Sequence, residues 1–283
     1  MKRAILLLAM LVLTGQLLLA GSAPQTIHVT TADELLNAIG SDRTIVLDAE
    51  GFDLTEALLA RPDLYVEDVD LAGPDQHVYY CDQFDGPELH VSNVHNLTIE
   101  LGEDMGASVI LIHPRYAYVI HFEMCSGLFI KDITFGHTEE GYCDRGVLGF
   151  DACEDVTVRG CDLFGCGTEG ITVSSCRGFL FEDSKIRDCT YHTMHVIESC
   201  SVYFIGCQFF RNREFSQVNI VESEDVSFYN CIFANNQGPL FFINSPVTFN
   251  NCVILHEEDS LGEGWEFVEF INCILEEPYL AVG

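Results

Sequence analysis

The sequence predicts an all-β solenoid, and three observations carry that prediction: a short repeat, alternating apolar columns and a recurring turn residue. The repeat returns every 21 to 28 residues, an interval typical of stacked solenoids. One column of small or apolar residues marks it: Ile133, Cys161, Ser184, Cys207, Cys231, Cys252 and Cys273. We therefore expect one coil of the solenoid per interval.

Three further columns keep an apolar character at fixed distances from this marker. The column three residues before it is Ile130, Val158, Phe181, Phe204, Phe228, Phe249 and Phe270. The column five residues before it is Leu128, Val156, Phe179, Val202, Val226, Val247 and Val268. Their spacing of two places them on one face of a β-strand. A third column begins another strand two residues after the marker: Phe135, Leu163, Ile186, Phe209, Phe233, Ile254 and Leu275.

The residue directly before the marker indicates a tight corner in every coil. This column contains only glycine, asparagine and aspartate: Asp132, Gly160, Asp183, Gly206, Asn230, Asn251 and Asn272. These residue types tolerate the left-handed region of backbone space better than the others do. We therefore predict one sharp bend per coil at this position.

Short strands between the bends are rich in β-branched and aromatic residues, as at Val147–Phe150, Val156–Val158 and Leu163–Phe164. In stacked coils each strand pairs in parallel with its equivalent one turn along. The pattern resembles the right-handed parallel β-helix of the pectate-lyase-like superfamily, in which an asparagine ladder often lines such a corner. Asn230, Asn251 and Asn272 are similar to that ladder.

This resemblance covers roughly residue 26 to the C-terminus. It implies a single-stranded right-handed parallel β-helix with a short N-terminal capping helix. It implies no single activity, because the scaffold carries lyases, hydrolases, isomerases and non-catalytic adhesins. The paired-aspartate motif of polygalacturonases is absent, and nothing matches the calcium and arginine motifs of pectate lyases.

Residues 1–23 have the layout of a secretory signal peptide. Lys2 and Arg3 precede an apolar stretch over residues 4–20, and small residues suited to cleavage follow. The alternative is a retained membrane anchor, which the polar and small residues 14–16 disfavour. We expect an extracytoplasmic protein, periplasmic, secreted or on the cell surface, without stable membrane insertion after signal cleavage.

The remaining residues 24–283 are predicted to form one domain, since no linker or break in composition divides them. Residues Thr30 to Gly40 read as an amphipathic helix with a capping threonine and a terminal glycine, and Arg43–Leu47 as a strand. The helix is expected to close the open end of the apolar interior. The predicted parts are a cap at 24–60, an irregular segment at 61–90 and coils at 91–283.

Charge narrows the range of partners. The chain has 44 acidic and 13 basic residues, a net charge of −31. Nucleic acid is disfavoured, because its binding depends on Lys and Arg at the phosphates. An acidic polysaccharide would also be repelled unless divalent cations such as Ca²⁺ bridge the two. The alternative explanation of the charge is a solvated acidic surface that favours solubility.

The 13 cysteines follow the repeat rather than a disulfide framework. Besides the marker column, a second column contains Cys125, Cys153, Cys176 and Cys200. We predict stacked free thiols for these two columns, because parallel side chains fit disulfide torsions poorly. Disulfides or a metal remain alternatives for three cysteines near coil corners: Cys143, Cys166 and Cys189. The absence of a CxxC pair disfavours structural zinc.

Candidate site residues cluster between positions 136 and 195, where the longest coil inserts a loop. The predicted catalytic residues are Arg145, Glu169 and His192, one per coil, stacked roughly 5 Å apart as a general acid/base set. The predicted substrate-binding residues are His137, His195 and Tyr142. The predicted calcium ligands are Glu139, Glu140 and Asp144. The alternative is surface charge with a structural salt bridge.

The predicted function is binding of a polysaccharide or cell-surface glycan at the face formed by residues 136–195. Cleavage by a lyase or hydrolase reaction is one form of this prediction. The alternative is a non-catalytic surface or structural β-helix that presents a binding face. The sequence leaves the sugar, the linkage and the oligomeric state open.

Overall fold

The computed structural model describes residues 23–138, 145–165, 169–256 and 261–275. In these ranges the α-helices are α1 (Ala32–Ala38) and α2 (Leu54–Leu59). Short 3-10 helices cover Pro62–Leu64, Val69–Leu71 and Trp265–Phe267. The first seven strands are β1 (Gln25–Val29), β2 (Arg43–Leu47), β3 (Gly51–Asp53), β4 (Val78–Gln83), β5 (Gly86–Ser92), β6 (Leu97–Leu101) and β7 (Val109–Ile112).

The strands that follow are short and recur in sets of three. They are β8 (Ile120–Glu123), β9 (Ser126–Lys131), β10 (Thr134–His137), β11 (Gly146–Asp151), β12 (Glu154–Arg159), β13 (Asp162–Phe164), β14 (Glu169–Ser174), β15 (Arg177–Glu182), β16 (Lys185–Arg187), β17 (His192–Ile197), β18 (Cys200–Ile205), β19 (Gln208–Phe210), β20 (Val218–Val221), β21 (Glu224–Tyr229), β22 (Ile232–Asn236), β23 (Phe241–Ile243), β24 (Val247–Asn250), β25 (Val253–His256), β26 (Gly262–Glu263), β27 (Val268–Ile271) and β28 (Ile274–Leu275).

Within the described ranges these strands form three long sheets that run along the solenoid. Sheet 1 has the order β1-β2-β6-β9-β12-β15-β18-β21-β24-β27. Sheet 2 has the order β3-β7-β10-β13-β16-β19-β22-β25-β28. Sheet 3 has the order β4-β5-β8-β11-β14-β17-β20-β23-β26. Neighbouring strands pair in parallel except β4 and β5, which form an antiparallel hairpin. The predicted parallel β-helix is confirmed.

The corner between sheet 1 and sheet 2 lies at the predicted residues. All seven have a positive φ, between 49° and 68°: Asp132, Gly160, Asp183, Gly206, Asn230, Asn251 and Asn272. The chain turns at one residue, so the next side chain, the marker, points inward. Cys161, Cys207, Cys231 and Cys252 are accordingly buried. The eleven cysteines in the described ranges carry no disulfide, as predicted for the two stacked columns.

Phenylalanine ladders fill the interior. Phe228 is fully buried, and its ring stacks between those of Phe204 and Phe249 at centroid distances of 4.7 and 4.4 Å. Because strands one coil apart lie about 4.8 Å apart, identical flat rings in one column stack face to face with little adjustment. The repeat thus produces both the backbone pairing and the packing of the core.

The N-terminal cap matches the prediction and adds a second helix. Thr31 caps α1, its hydroxyl accepting a hydrogen bond from the Glu34 backbone N–H at 3.2 Å. Leu35 of α1 and Leu54 and Leu58 of α2 are buried in the same core as the coils. No helix in the described part of the chain is long and apolar enough to cross a membrane.

The last part of the segment predicted to be irregular, residues 61–90, contains two strands. The hairpin of β4 and β5 lies there and continues sheet 3 at its N-terminal edge. Its polar side chains and its antiparallel turn depart from the pattern of the coils, which is why the repeat does not reveal it. The hairpin brings Glu88 and His90 onto the sheet that carries Glu169.

Candidate functional site

The outer face of sheet 3 presents one row of side chains at equivalent positions of successive strands. In register order the row is Tyr79, His90, His121, Gly149, Thr172, His195, Asn219 and Phe242. Side chains alternate along a strand, and the neighbours Ile171 and Val173 are buried in the interior. The row therefore crosses the coils on the outside of the solenoid.

Glu169 and His195 form a carboxylate–imidazole pair on this face. Oε1 of Glu169 lies 2.9 Å from Nδ1 of His195, and Oε2 accepts a hydrogen bond from the Thr172 hydroxyl. A carboxylate partner holds the proton on Nδ1, so Nε2 of the neutral ring carries a lone pair. Nε2 has no hydrogen-bond partner among the described residues, while the His195 side chain remains 23% exposed. The pair is suited to general-base chemistry.

Tyr118 and Arg145 extend this arrangement by one coil. The Tyr118 hydroxyl donates to Oγ1 of Thr172 at 2.9 Å, and the Arg145 guanidinium lies over the Tyr118 ring, 5.5 Å from its centroid. Burial raises the pKa of Tyr118, so its hydroxyl keeps its proton at neutral pH. Gly149 leaves room for this ring, because a Cβ there would come within 3.0 Å of it.

A second cluster lies beside the first, where the hairpin joins the coils. Glu88 is fully buried, and its Oε2 accepts the Tyr118 backbone N–H at 2.6 Å. Its Oε1 lies 3.1 Å from Nε2 of His90. Nδ1 of His90 lies 3.3 Å from the Glu123 carboxylate, which also accepts the Tyr79 hydroxyl at 2.7 Å.

The electrostatics of this second cluster follow from burial and from the two carboxylates. Burial lowers the pKa of His90, but Cys81, Glu123 and Glu88 outweigh it and raise the value to about 11. Burial also opposes ionisation of Glu123, but hydrogen bonds from His90 and Tyr79 lower its pKa to about 2. Burial lowers the pKa of His121. At neutral pH the cluster therefore combines a charged His90, an ionised Glu123 and a neutral His121.

The three predicted catalytic residues, Arg145, Glu169 and His192, lie close together, but they do not form the predicted stack. Gly146, not Arg145, is in register with Glu169, whose backbone N–H donates to the Arg145 carbonyl at 3.2 Å. His192 is in register with Glu169, but its Nδ1 contacts the Ser216 carbonyl and burial lowers its pKa. The imidazole that the Glu169 carboxylate contacts is that of His195, because the Glu169 side chain at the start of β14 reaches the outward row.

Of the predicted substrate-binding residues that the structure describes, His195 lies on this outer face and His137 does not. His137 is buried, and its Nε2 donates to the Ala117 carbonyl at 2.8 Å. It is therefore not placed to contact a substrate. The remaining four, which are Glu139, Glu140, Tyr142 and Asp144, lie outside the described residues.

Buried His137 leads to a prediction about pH. Its Nδ1 has no partner among the described residues, and burial lowers its pKa below the usual 6.5. The buried neutral ring of His137 therefore contributes stability that is fully present above pH 6.5 and is lost as the pH falls toward the pKa of His137 in the folded protein. The loss amounts to about 1.4 kcal/mol for each unit by which burial lowers that pKa. We expect His137→Gln to lose less unfolding free energy than the wild type between pH 7.5 and 5.5, measured by urea denaturation. An equal loss in both would contradict this assignment.

Several residues of the site are missing from the sequence prediction: Tyr118, Thr172, Glu88, His90 and Glu123. A local pattern could have indicated three polar positions, because Glu88, His90 and Ser92 alternate with apolar residues over β5. The proximity of Glu88 to Glu123 could not be predicted in this way. It depends on how the hairpin is paired with β8.

Exposed aromatic rings lie near the polar row. At the turn of the hairpin, Phe84 is 87% exposed and packs against Tyr116 with ring centroids 5.0 Å apart. These two residues, Gln83 and Arg145 line a shallow cavity of about 410 Å³. Phe242, the last member of the row, is exposed, as is Trp265, which follows β26 in the chain. The polar groups of the row thus have exposed apolar rings near them.

A comparison with known protein families agrees with the observed fold. A family model described as the right-handed beta helix region matches residues 118–273, more than half of the chain. A search among curated proteins finds no match.

Two solved structures resemble the chain. A glycosyl hydrolase candidate from Parabacteroides merdae has 12% identity and a TM-score of 0.36, covering 54% of this chain and 79% of its own. An alginate lyase from Paenibacillus sp. str. FPU-7 has 11% identity and a TM-score of 0.46, covering 89% of this chain and 95% of its own. At these values neither resemblance bears on activity.

Proposed function

The chain belongs to the right-handed β-helix family, and we propose that it binds an extended uronic-acid polysaccharide along the outer face of sheet 3 and cleaves it by β-elimination. The observation that carries the proposal is the Glu169–His195 pair, which lies on an accessible face next to Tyr118 and Arg145. Proton abstraction next to a carboxylate requires a base and a cation, and these residues provide both.

The shape of the face favours a linear ligand. From His121 to Phe242 the row crosses five strand spacings, roughly 24 Å at about 4.8 Å each. The exposed Phe242 ring at one end of this row offers a flat apolar surface, and the polar groups precede it. A chain of sugars, whose rings have apolar faces and hydroxyl edges, complements such a surface.

In the proposed reaction Nε2 of His195 removes the proton on the carbon next to the uronate carboxylate. The electron pair forms a carbon–carbon double bond, the glycosidic bond to the neighbouring oxygen breaks, and that oxygen takes a proton from solvent. Glu169 stabilises the imidazolium that forms, as a carboxylate does when it is bonded to Nδ1. Arg145 neutralises the uronate carboxylate and so makes the neighbouring proton more acidic.

Hydrolysis by two carboxyl groups is less compatible with this geometry. Such hydrolysis requires one protonated carboxyl group and one carboxylate on either side of the scissile bond. Glu88 is fully buried, and the pKa of Glu123, about 2, keeps it ionised at neutral pH. Glu169 is engaged by Thr172 and His195. None of these three carboxylates is therefore an accessible proton donor.

Two parts of the original prediction remain proposals. One is a Ca²⁺ ion held by Glu139, Glu140 and Asp144, which would bridge the acidic protein to an acidic substrate. The other is export to an extracytoplasmic compartment, where polysaccharides are found. A second candidate function is glycan binding without catalysis, which the exposed Phe242 and Trp265 favour.

The test is incubation of the purified protein with uronic-acid and neutral polysaccharides, with calcium or with chelator. Ultraviolet absorbance reports unsaturated ends, and a reducing-sugar assay reports all new ends. We expect unsaturated ends from a uronic-acid polymer. New reducing ends without unsaturation would show hydrolysis instead, and binding without new ends would favour the non-catalytic function.

The charge of the protein leads to a prediction about salt. With a net charge of −31, the protein repels a polyanionic substrate over distances set by the screening length. That length falls from about 30 Å at 0.01 M salt to about 8 Å at 0.15 M. We expect KM for the uronic-acid polymer to fall over this range while kcat changes little, as measured by initial rates. A steady rise of KM with salt would indicate attraction and contradict the prediction.

A further inference from the structure

The geometry points to a site for a divalent transition-metal ion of the zinc class, formed by one ring nitrogen each of His90 and His121 and by the Glu123 carboxylate. This site is separate from the Glu169–His195 pair, and its existence does not depend on the proposed cleavage. Its three residues come from two neighbouring strands of sheet 3, β5 and β8.

The distances fit a shared ion. Nδ1 of His90 lies 3.3 Å from Oε2 of Glu123, and Nδ1 of His121 lies 3.8 Å from Oε1 of Glu123. Ligand atoms about 2.0–2.2 Å from zinc at tetrahedral angles lie roughly 3.3–3.6 Å apart. One ligand atom from each of the three residues lies within 4.8 Å of the other two, so a bound ion would draw the three side chains together.

His121 provides the strongest single argument. Its Nδ1 is buried and has no hydrogen-bond partner in the described part of the chain. A buried ring nitrogen without a partner carries a free-energy cost that coordination of an ion would remove. The same atom lies 3.9 Å from Oε1 of Glu88, too far for a hydrogen bond. It is therefore directed at a space bordered by two carboxylates.

The supporting contacts around the three ligands are those that metal sites use. Nε2 of His90 lies 3.1 Å from the buried Glu88 carboxylate, which orients the ring with Nδ1 toward Glu123. An ion would displace the proton on Nδ1 of the charged His90, so binding should release a proton. Glu88 is held in turn by the Tyr118 backbone N–H. The Tyr79 hydroxyl donates a hydrogen bond to Glu123 at 2.7 Å, and the Tyr79 ring stacks on the His90 ring.

Ligand chemistry and exposure indicate which ion the site would take. Two imidazoles and one carboxylate suit Zn²⁺ and its first-row neighbours, whereas Ca²⁺ prefers a cage of oxygen atoms. His121 and Glu123 are partly exposed, at 14% and 16%, so an ion can enter and a fourth ligand position can face solvent. Three protein ligands leave a fourth coordination position open, whereas structural zinc sites usually have four protein ligands.

The test is to strip the purified full chain with chelator and titrate it with Zn²⁺, Co²⁺ and Ca²⁺ by calorimetry. We expect one Zn²⁺ per chain, a rise in Tm with Zn²⁺, and visible Co²⁺ absorption bands that Zn²⁺ abolishes and Ca²⁺ does not. Glu88→Gln should weaken Zn²⁺ affinity about 10–100-fold through the His90 ring, and His121→Ala should weaken it further.

The matched control is His113→Ala. His113 is a partly exposed histidine bonded to Asp53 outside sheet 3, so its loss should leave Zn²⁺ affinity unchanged. Unchanged affinity in a folded His121→Ala variant would overturn the proposal, with folding checked by circular dichroism. Absence of stoichiometric Zn²⁺ and of Co²⁺ bands in the wild type would overturn it without relying on any variant.

Discussion

Replacing His195 with glutamine is expected to reduce kcat for the uronic-acid polymer by about 10²–10⁴-fold, the usual contribution of a positioned general base. The substitution removes the ring nitrogen that accepts the proton but keeps a polar side chain of similar size. His195 lies on the outer face and is partly exposed, so the fold should be retained. The measurement is the initial rate of unsaturated-end formation, with folding monitored by circular dichroism.

Two further variants make this result specific. Glu169→Gln should cause a comparable loss, and the double variant should lose little more than either single one, because the two residues act as a unit. His113→Gln removes a histidine from another histidine–carboxylate pair, formed with Asp53 of sheet 2, and should leave kcat unchanged. Retention of more than half of the wild-type kcat in a folded His195→Gln protein would exclude His195 as the base.

The largest effect on stability is expected for Phe228→Ala, which should lower the free energy of unfolding by about 3–5 kcal/mol. Phe228 is fully buried and stacks on Phe204 and Phe249. Its removal opens a cavity in the middle of the ladder, and strands paired on both sides limit how far the core can collapse. Urea denaturation followed by circular dichroism measures the change.

Phe242→Ala is the matched control for that experiment. Its ring lies on the outer face of sheet 3 and is 45% exposed, so the same truncation should change the stability by about 0.5 kcal/mol or less. A loss below about 1 kcal/mol for Phe228→Ala would mean that neighbouring rings fill the space. The ladder would then not be the main support of the coils.

The fold could be predicted because its determinants repeat along the chain. A strand that buries Val226 and Phe228 and then turns at Asn230 is specified within a few residues, and the same pattern returns in the next coil. The one-residue turn needs a residue that tolerates positive φ, which limits the choice to a few types. Local chemistry and periodicity were sufficient for the corner, the core and the parallel pairing.

The site was less predictable because it depends on side-chain direction and on contacts across coils. Glu169 and His192 are in register, as expected, yet the Glu169 carboxylate reaches His195 on the outward row. Arg145 is displaced by one position, because Gly146 and not Arg145 pairs with Glu169. Glu88 belongs to a hairpin outside the repeat, so no periodic signal could place it beside His90 and Tyr118.

A crystal structure of the His195→Ala variant with an oligouronate would test most directly whether the outer face of sheet 3 is the functional site. We expect the sugar chain to lie along the row from His121 to Phe242, with a carboxylate at the Arg145 guanidinium. The carbon that bears the abstracted proton should lie where Nε2 of His195 can reach it, at about 3–3.5 Å. An oligouronate bound on sheet 1 or sheet 2, with sheet 3 bare, would contradict this account.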